Sequence, residues 1–219
     1  MDKEEQWKGY YGYYLSEARR KGVNPVEVLD EQWFDGRTTA AGVLPHISLD
    51  SDVLEIACGI GRVSRFVAPH CRHLYCADIL DEALSEARAQ LNEFENVSFK
   101  KINGYDLSGY ESESFDCVYS FTAFFHFDFE LVVNYFSEIK RVLKPGGTAV
   151  LEFKQWKDKQ DVKQLLDKME NQGGIRVYQT ELDKWRYVSK EMLNVLCEFY
   201  ELDVQDSDLT RFTFSKGWS

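Results

Sequence analysis

The sequence predicts an α/β fold: a seven-stranded sheet, mostly parallel with an antiparallel last strand, covered by helices on both faces and preceded by a helical lid. Three observations carry this expectation. Short apolar runs alternate with helical patterns through the middle of the chain, which is the rhythm of parallel strands and their crossovers. A Gly-x-Gly turn follows the first run. The last two runs are joined by a polar link too short for a parallel return, so they must pair antiparallel.

Element by element, strands are predicted at 53–57 (Val-Leu-Glu-Ile-Ala), 74–77 (Leu-Tyr-Cys-Ala), 97–102, 115–120 and 148–153. Between the fourth and fifth, Leu131, Val132, Tyr135, Phe136, Ile139, Val142 and Leu143 recur at helical spacing. A helix is therefore predicted over 130–143, with Pro145-Gly146-Gly147 as its stop. Ser189 is a candidate N-cap for a helix running to about Phe199. Strands at 200–204 and 211–215 then flank the polar turn 205–208. Residues 1–46 read as mostly helical and precede the main domain, 47–219, which carries an insert at about 155–188.

Composition sets the outer limits. The chain has 219 residues, a formal net charge of −11, and 44% hydrophobic and 15% aromatic residues. That suffices for one large domain with a real core and excludes global disorder. No apolar run approaches the ~20 residues a bilayer span needs. The first residues, Met1-Asp2-Lys3-Glu4-Glu5-Gln6, lack the basic and apolar regions of a signal peptide. Five cysteines without a Cys-x-x-Cys argue against a disulfide framework or a zinc site and fit a reducing cytoplasm. A pI near 4.9 disfavours broad contact with phosphate backbones. The expectation is a cytoplasmic monomer or homodimer with no metal and neither membrane nor nucleic acid as partner.

The chemistry concentrates where the first strand ends. A strand running into Gly59-Ile60-Gly61 and then a helix lets backbone pass close to a ligand, because a Cβ would obstruct it. Asp78 ends the second strand nineteen residues after Gly59 and can accept hydrogen bonds from two vicinal ribose hydroxyls. Together they predict a nucleoside-containing ligand. A dinucleotide fingerprint would place its third glycine at Ser64, which weakens a nicotinamide-dinucleotide oxidoreductase without excluding it. Glu55, four residues before Gly59, would repel a pyrophosphate and attract an amino-acid ammonium group. That points to a ligand carrying ribose, adenine and a cationic amino acid.

With these residues in view, the chain from about Asp50 onward resembles the class I, Rossmann-like S-adenosylmethionine-dependent methyltransferases. Glu55-Ile56-Ala57-Cys58-Gly59-Ile60-Gly61 matches that family's acidic-x-Gly-x-Gly-x-Gly loop, with Ala57 in place of the first glycine. Asp78 matches its ribose-binding acid. Asn103-Gly104 resembles its Asp-Gly pair beside the adenine, with the Asn oxygen offered to the exocyclic amine. Phe115-Asp116-Cys117-Val118-Tyr119-Ser120 and Leu143-Lys144-Pro145-Gly146-Gly147 are similar to its fourth-strand and pre-fifth-strand motifs. The resemblance implies S-adenosyl-L-methionine as cofactor and S-adenosyl-L-homocysteine as product. It also implies cofactor contacts by Arg37, Glu55, Ala57, Gly59, Gly61, Arg62, Asp78, Ile79, Asn103, Gly104, Tyr105, Ser120 and Phe121. Arg37 resembles the arginine that glycine N-methyltransferase-like enzymes aim at the cofactor carboxylate.

On the substrate side, five phenylalanines in the nine residues 121–129 can form an apolar pocket beside the sulfonium. His126 among them is the candidate general base, since an unperturbed imidazole titrates near ~6.5. Tyr10 and Tyr14 from the lid, Phe124 and Phe125 from the loop, and Trp156 and Trp185 from the insert are candidate substrate contacts. The Asn/Asp-Pro-Pro-Tyr motif of base and glutamine methylation is absent after the fourth strand, as is an Asp/Asn magnesium cluster. The acceptor is therefore expected to be a nitrogen or oxygen of a small molecule. A catalytically silent module that binds the adenosyl ligand is the alternative of a different class.

Overall fold

The computed structural model describes residues 3–32, 35–155, 163, 166, 167, 186–207 and 210–218. Five strands, β1 (Asp52–Ile56), β2 (His73–Asp78), β3 (Val97–Lys101), β4 (Phe115–Ser120) and β5 (Leu143–Glu152), run parallel. A two-residue parallel pair, β6 (Lys154–Gln155) with β7 (Tyr187–Val188), stands apart from them. The last strands, β8 (Leu202–Ser207) and β9 (Arg211–Lys216), complete a seven-stranded sheet of order β3-β2-β1-β4-β5-β9-β8. β9 is antiparallel to both its neighbours, as the short link between the last two apolar runs requires. The chain winds outward from β1 to β3 and returns to β4 on the other side of β1. The switch point between β1 and β4 opens a crevice at the carboxyl ends of these strands, where ligands of open α/β sheets bind.

Helices cover both faces: α1 (Lys3–Lys21), α2 (Pro25–Gln32), α3 (Gly36–Ala40), α4 (Ser64–Val67), α5 (Asp81–Gln90), α6 (Phe129–Val142) and α7 (Lys190–Phe199). A strand buried on both faces is a near-continuous apolar run, and a polar residue in it needs partners. β1 shows why: Val53 packs with Val67, Leu74, Leu84 and Cys117 on one side. Leu54 and Ile56 pack with Phe136, Ile139 and Phe153 on the other. The Ser189 side chain caps α7 by accepting from the Met192 N–H at 3.2 Å. All five cysteines are buried free thiols. Among the described residues no helix is long and apolar enough to cross a membrane.

Two boundaries differ from the sequence reading. The residues expected to form a turn after α6 open β5 instead: Phe115 pairs with Leu143, then Cys117 with Thr148. The strand absorbs Pro145 and its glycines as an irregularity, with Gly146 at φ +78°. At the far edge, β8 continues to Ser207 through the polar residues expected to turn. As an edge strand paired only with β9, β8 can carry polar residues that a central strand could not.

The N-terminal helices sit over the crevice. Tyr14 and Ala18 of α1 pack with Val26 and Leu29 of α2 and with Ile60 of the glycine turn. Burying each large side chain there contributes roughly 1.5–3 kcal/mol. The ion pairs Glu4–Lys101 (3.2 Å) and Lys8–Glu82 (3.8 Å) also tie α1 down. Exposed pairs of this kind are screened by solvent and contribute little, so the apolar seat dominates.

Candidate functional site

A cavity of about 410 Å³ lies at the carboxyl ends of β1, β2 and β4, roofed by α1. β1 delivers Glu55 to its floor. The turn that follows needs left-handed backbone at Ala57 (φ +59°), Gly59 (φ +56°) and Gly61 (φ +82°). Alanine at the first of these positions holds the loop shape at a cost of about 1 kcal/mol. At Gly59 a Cβ would be strained by the left-handed backbone and would displace the Tyr11 hydroxyl of the roof. β2 delivers Asp78, whose two oxygens accept from the Gly59 N–H (2.9 Å) and the Leu80 N–H (3.0 Å). The acid expected to hold a ribose thus also holds the glycine turn in place. Burial pushes its carboxyl up, against the pull of these backbone donors.

Glu55 is 3% exposed. Its Oε2 accepts from the Ser64 hydroxyl and, at 2.8 Å, from the Tyr119 hydroxyl. Burial raises its pKa to about 7, opposed by the two hydroxyls and by Arg62. A free Glu carboxyl titrates near ~4.3. Between that value and about 7 the folded chain keeps a proton that the unfolded chain has released, so stability falls as pH rises through this window. Glu55→Gln is accordingly expected to melt higher than the unmutated chain at pH 8, by something of order 3 kcal/mol. The two should coincide near pH 4. Ligand-free thermal melts across pH check this, and parallel melting curves at every pH would refute it.

Of the residues singled out in the sequence, Tyr10, Glu55, Ala57, Gly59, Arg62, Asp78, Ile79, Asn103, Gly104, Tyr105, Phe121 and His126 line this cavity. Asn103 lines it in a different role from the one expected. Its oxygen accepts from the Tyr105 (2.8 Å) and Asp106 (3.0 Å) N–H groups, and its amide donates to Asp106. The side chain builds its own turn, and its oxygen is already committed there.

Six expected contacts lie off the cavity wall, each for a visible reason. Arg37 is exposed on α3 with its guanidinium over the Phe66 ring, 5.1 Å from the centroid. Gly61 faces Leu91 of the helical layer. The Ser120 hydroxyl donates to the Ile56 carbonyl at 2.8 Å inside the sheet. Tyr14 is 1% exposed in the seat of α1 and donates to the Tyr10 hydroxyl at 2.9 Å. Phe124 packs among Phe127, Tyr135 and Phe153. Phe125 is buried, backed by Lys154. Trp156 and Trp185 lie outside the described residues.

The cavity also takes residues the sequence reading did not choose. Trp7 shares the roof with Tyr10 and Tyr11, and the i, i+3, i+4 spacing of the three is the signal that marks it. The Trp7 ring meets the His126 ring edge-on at 5.3 Å. Thr122, at the end of β4, holds φ +57° while its N–H donates to Glu152 at 2.7 Å. For a β-branched residue that is a strained turn, and it lies on the cavity wall. Arg186 grips the His126 turn: its N–H donates to the Phe125 carbonyl (2.8 Å), Nε to Asp128 (2.8 Å) and Nη1 to the His126 carbonyl (2.9 Å). No local pattern marks Arg186, because its partners are about sixty residues away in sequence.

These groups fit an adenosyl cofactor. Two buried carboxylates stand on adjacent strand ends with a glycine turn between them, and the volume falls within the ~300–1,000 Å³ of small-ligand sites. Among the described residues there is no metal-binding cluster of His, Cys, Asp and Glu.

Comparison with known proteins agrees with this geometry. Residues 54–151 match the family model described as a methyltransferase domain. An uncharacterized RNA methyltransferase of Listeria monocytogenes is 34% identical over 82 residues, 36% of this chain; the chain spans only 16% of that relative's length. A SAM-dependent methyltransferase of Methanosarcina mazei superposes with a TM-score of 0.63 at 19% identity, covering 81% of this chain and 97% of that one. Phosphoethanolamine N-methyltransferase 1 of Haemonchus contortus, solved with phosphoethanolamine and S-adenosylhomocysteine, gives 0.53 at 16% identity, covering 71% and 34%. At these identities the two structures speak to the fold, which is the Rossmann-like sheet of the class I methyltransferases.

Proposed function

We propose that this chain, a member of the methyltransferase-domain family through residues 54–151, is a transferase that moves a methyl group from S-adenosyl-L-methionine to a nitrogen or oxygen of a small molecule. The observation that carries the reading is the single cavity wall that joins Glu55 and Asp78 to His126 under the aromatic roof of α1. When bound, the cofactor supplies an electrophilic methyl group on a sulfonium and leaves as S-adenosyl-L-homocysteine.

The chain's own residues provide the rest. Asp78 accepts from the ribose hydroxyls, and Glu55 faces the ammonium of the amino-acid end. A buried carboxylate at that position works against a pyrophosphate, which disfavours the dinucleotide reading. Trp7, Tyr10 and Phe121 exclude water around the acceptor, which must be held about 3 Å from the methyl and in line with the bond that breaks. His126 takes the proton when the acceptor is a hydroxyl.

The named relatives raise RNA as the competing acceptor. A net charge of −11 and a reacting end roofed by α1 favour a small molecule over a polyanion. Incubation with methyl-labelled cofactor and a cell extract split into metabolite and RNA fractions decides between them. Label in the metabolite fraction is expected. Label confined to RNA overturns the acceptor class, and no label in either fraction leaves the silent binding module.

A further inference from the structure

We propose that Ser64 and Tyr119 are positioning residues that aim the Glu55 carboxylate at the amino group of the bound cofactor's amino-acid end. The inference rests on the cofactor assignment above and concerns how the chain tells an adenosyl amino acid from other nucleosides. Glu55 lines the cavity, whereas Ser64 and Tyr119 do not. Both donate to the same oxygen, Oε2, from behind. Among the described residues Oε1 receives no hydrogen bond, so it is the oxygen left to meet a ligand.

The two donors reach Glu55 from different elements. Tyr119 is its register partner on β4, and its ring is wholly buried. Ser64 opens α4 just after the glycine turn and is wholly buried too. It stands where a dinucleotide-binding turn would carry its third glycine, and a glycine there has no hydroxyl to give. The residue that breaks the dinucleotide pattern is thus the one that braces a carboxylate for an ammonium group.

Bracing matters because burial works against the charged form. Groups facing Glu55 are Arg62, which favours its anion, and Asp78, which opposes it. Tyr11 of the roof and Cys58 of the turn are also close enough for their own ionisation to feel it. Hydroxyl donors to a buried carboxylate are stronger than neutral pairs and shift the balance toward the anion. Without them Glu55 stays protonated to higher pH and presents no charge to the ammonium group.

The test is titration calorimetry of the whole chain with two probes, S-adenosyl-L-homocysteine and 5′-methylthioadenosine, which keeps the nucleoside but lacks the amino-acid end. Ser64→Ala and Tyr119→Phe each remove one oxygen. Either should weaken S-adenosylhomocysteine about tenfold at pH 7 and by more at pH 6, where the loss of a donor leaves Glu55 protonated while the ligand's ammonium keeps its charge. Affinity for methylthioadenosine should stay within about twofold. If one variant does not fold, the other carries the test. Equal losses for both probes, or no loss for S-adenosylhomocysteine, overturn the proposal. An unmutated chain that binds neither probe overturns the functional reading first and this inference with it.

Discussion

Asp78→Ala is expected to weaken S-adenosylhomocysteine binding by a hundredfold or more, and Asp78→Asn by about tenfold. The size follows from the number of groups that depend on one carboxylate. Its oxygens already hold the Gly59 and Leu80 N–H groups at 2.9 and 3.0 Å. Alanine strands both donors in a buried site, at roughly 1–3 kcal/mol each. It also removes the anionic acceptor for the ribose, whose charge-assisted hydrogen bonds are about twice as strong as neutral ones. Asparagine keeps one oxygen and so retains part of each function. Thermal stability should fall with the alanine variant as well, since the Gly59 tether is lost even without ligand. Calorimetry on the three proteins checks the order. An alanine variant that binds as tightly as the unmutated chain would remove the nucleoside from the ends of β1 and β2.

The outcome for Asp78 also shows what kind of information the sequence held. β1, β2 and β4 were legible because strands buried on two faces are short, near-continuous apolar runs, and few other elements look like that. α6 was legible because one face of it carries the core. Asp78 and the glycine turn were legible because their chemistry depends on spacing along the chain. The departures have a common origin in groups whose roles are settled across the fold. Asn103 spends its oxygen on its own turn. Phe124 and Phe125 entered the core because Tyr135, Phe153 and Lys154 were waiting behind the loop. Arg37 found Phe66 instead of the cavity. Ser64 registered only as a missing glycine until Glu55 was seen against its hydroxyl. Arg186 has no sequence signature at all, and its grip on residues 125–128 exists only in three dimensions.

His126→Ala is expected to lower turnover of the acceptor identified by labelling by about 10²-fold, with S-adenosylhomocysteine affinity nearly unchanged. The imidazole sits in the short helical turn Phe124–His126 that follows β4 and lines the cavity. Its ring is fixed by contact with Phe125 at 4.5 Å and by the edge of Trp7 at 5.3 Å. Its backbone is pinned by Arg186. A base held this way needs no reorganisation when an acceptor hydroxyl arrives, and rate is lost when it is removed because the proton then has only water to go to. The split between turnover and affinity is the informative part. A general fold defect would lower both, whereas a lost base lowers turnover alone. An amine acceptor that binds neutral attacks through its lone pair, and alignment with the methyl suffices. Full turnover by His126→Ala at every pH would therefore mean that the acceptor is an amine or that another residue is the base, and would return His126 to the aromatic packing around Trp7. The carboxylates of β1 and β2 would keep their roles under that result, because nothing in their geometry passes through the imidazole.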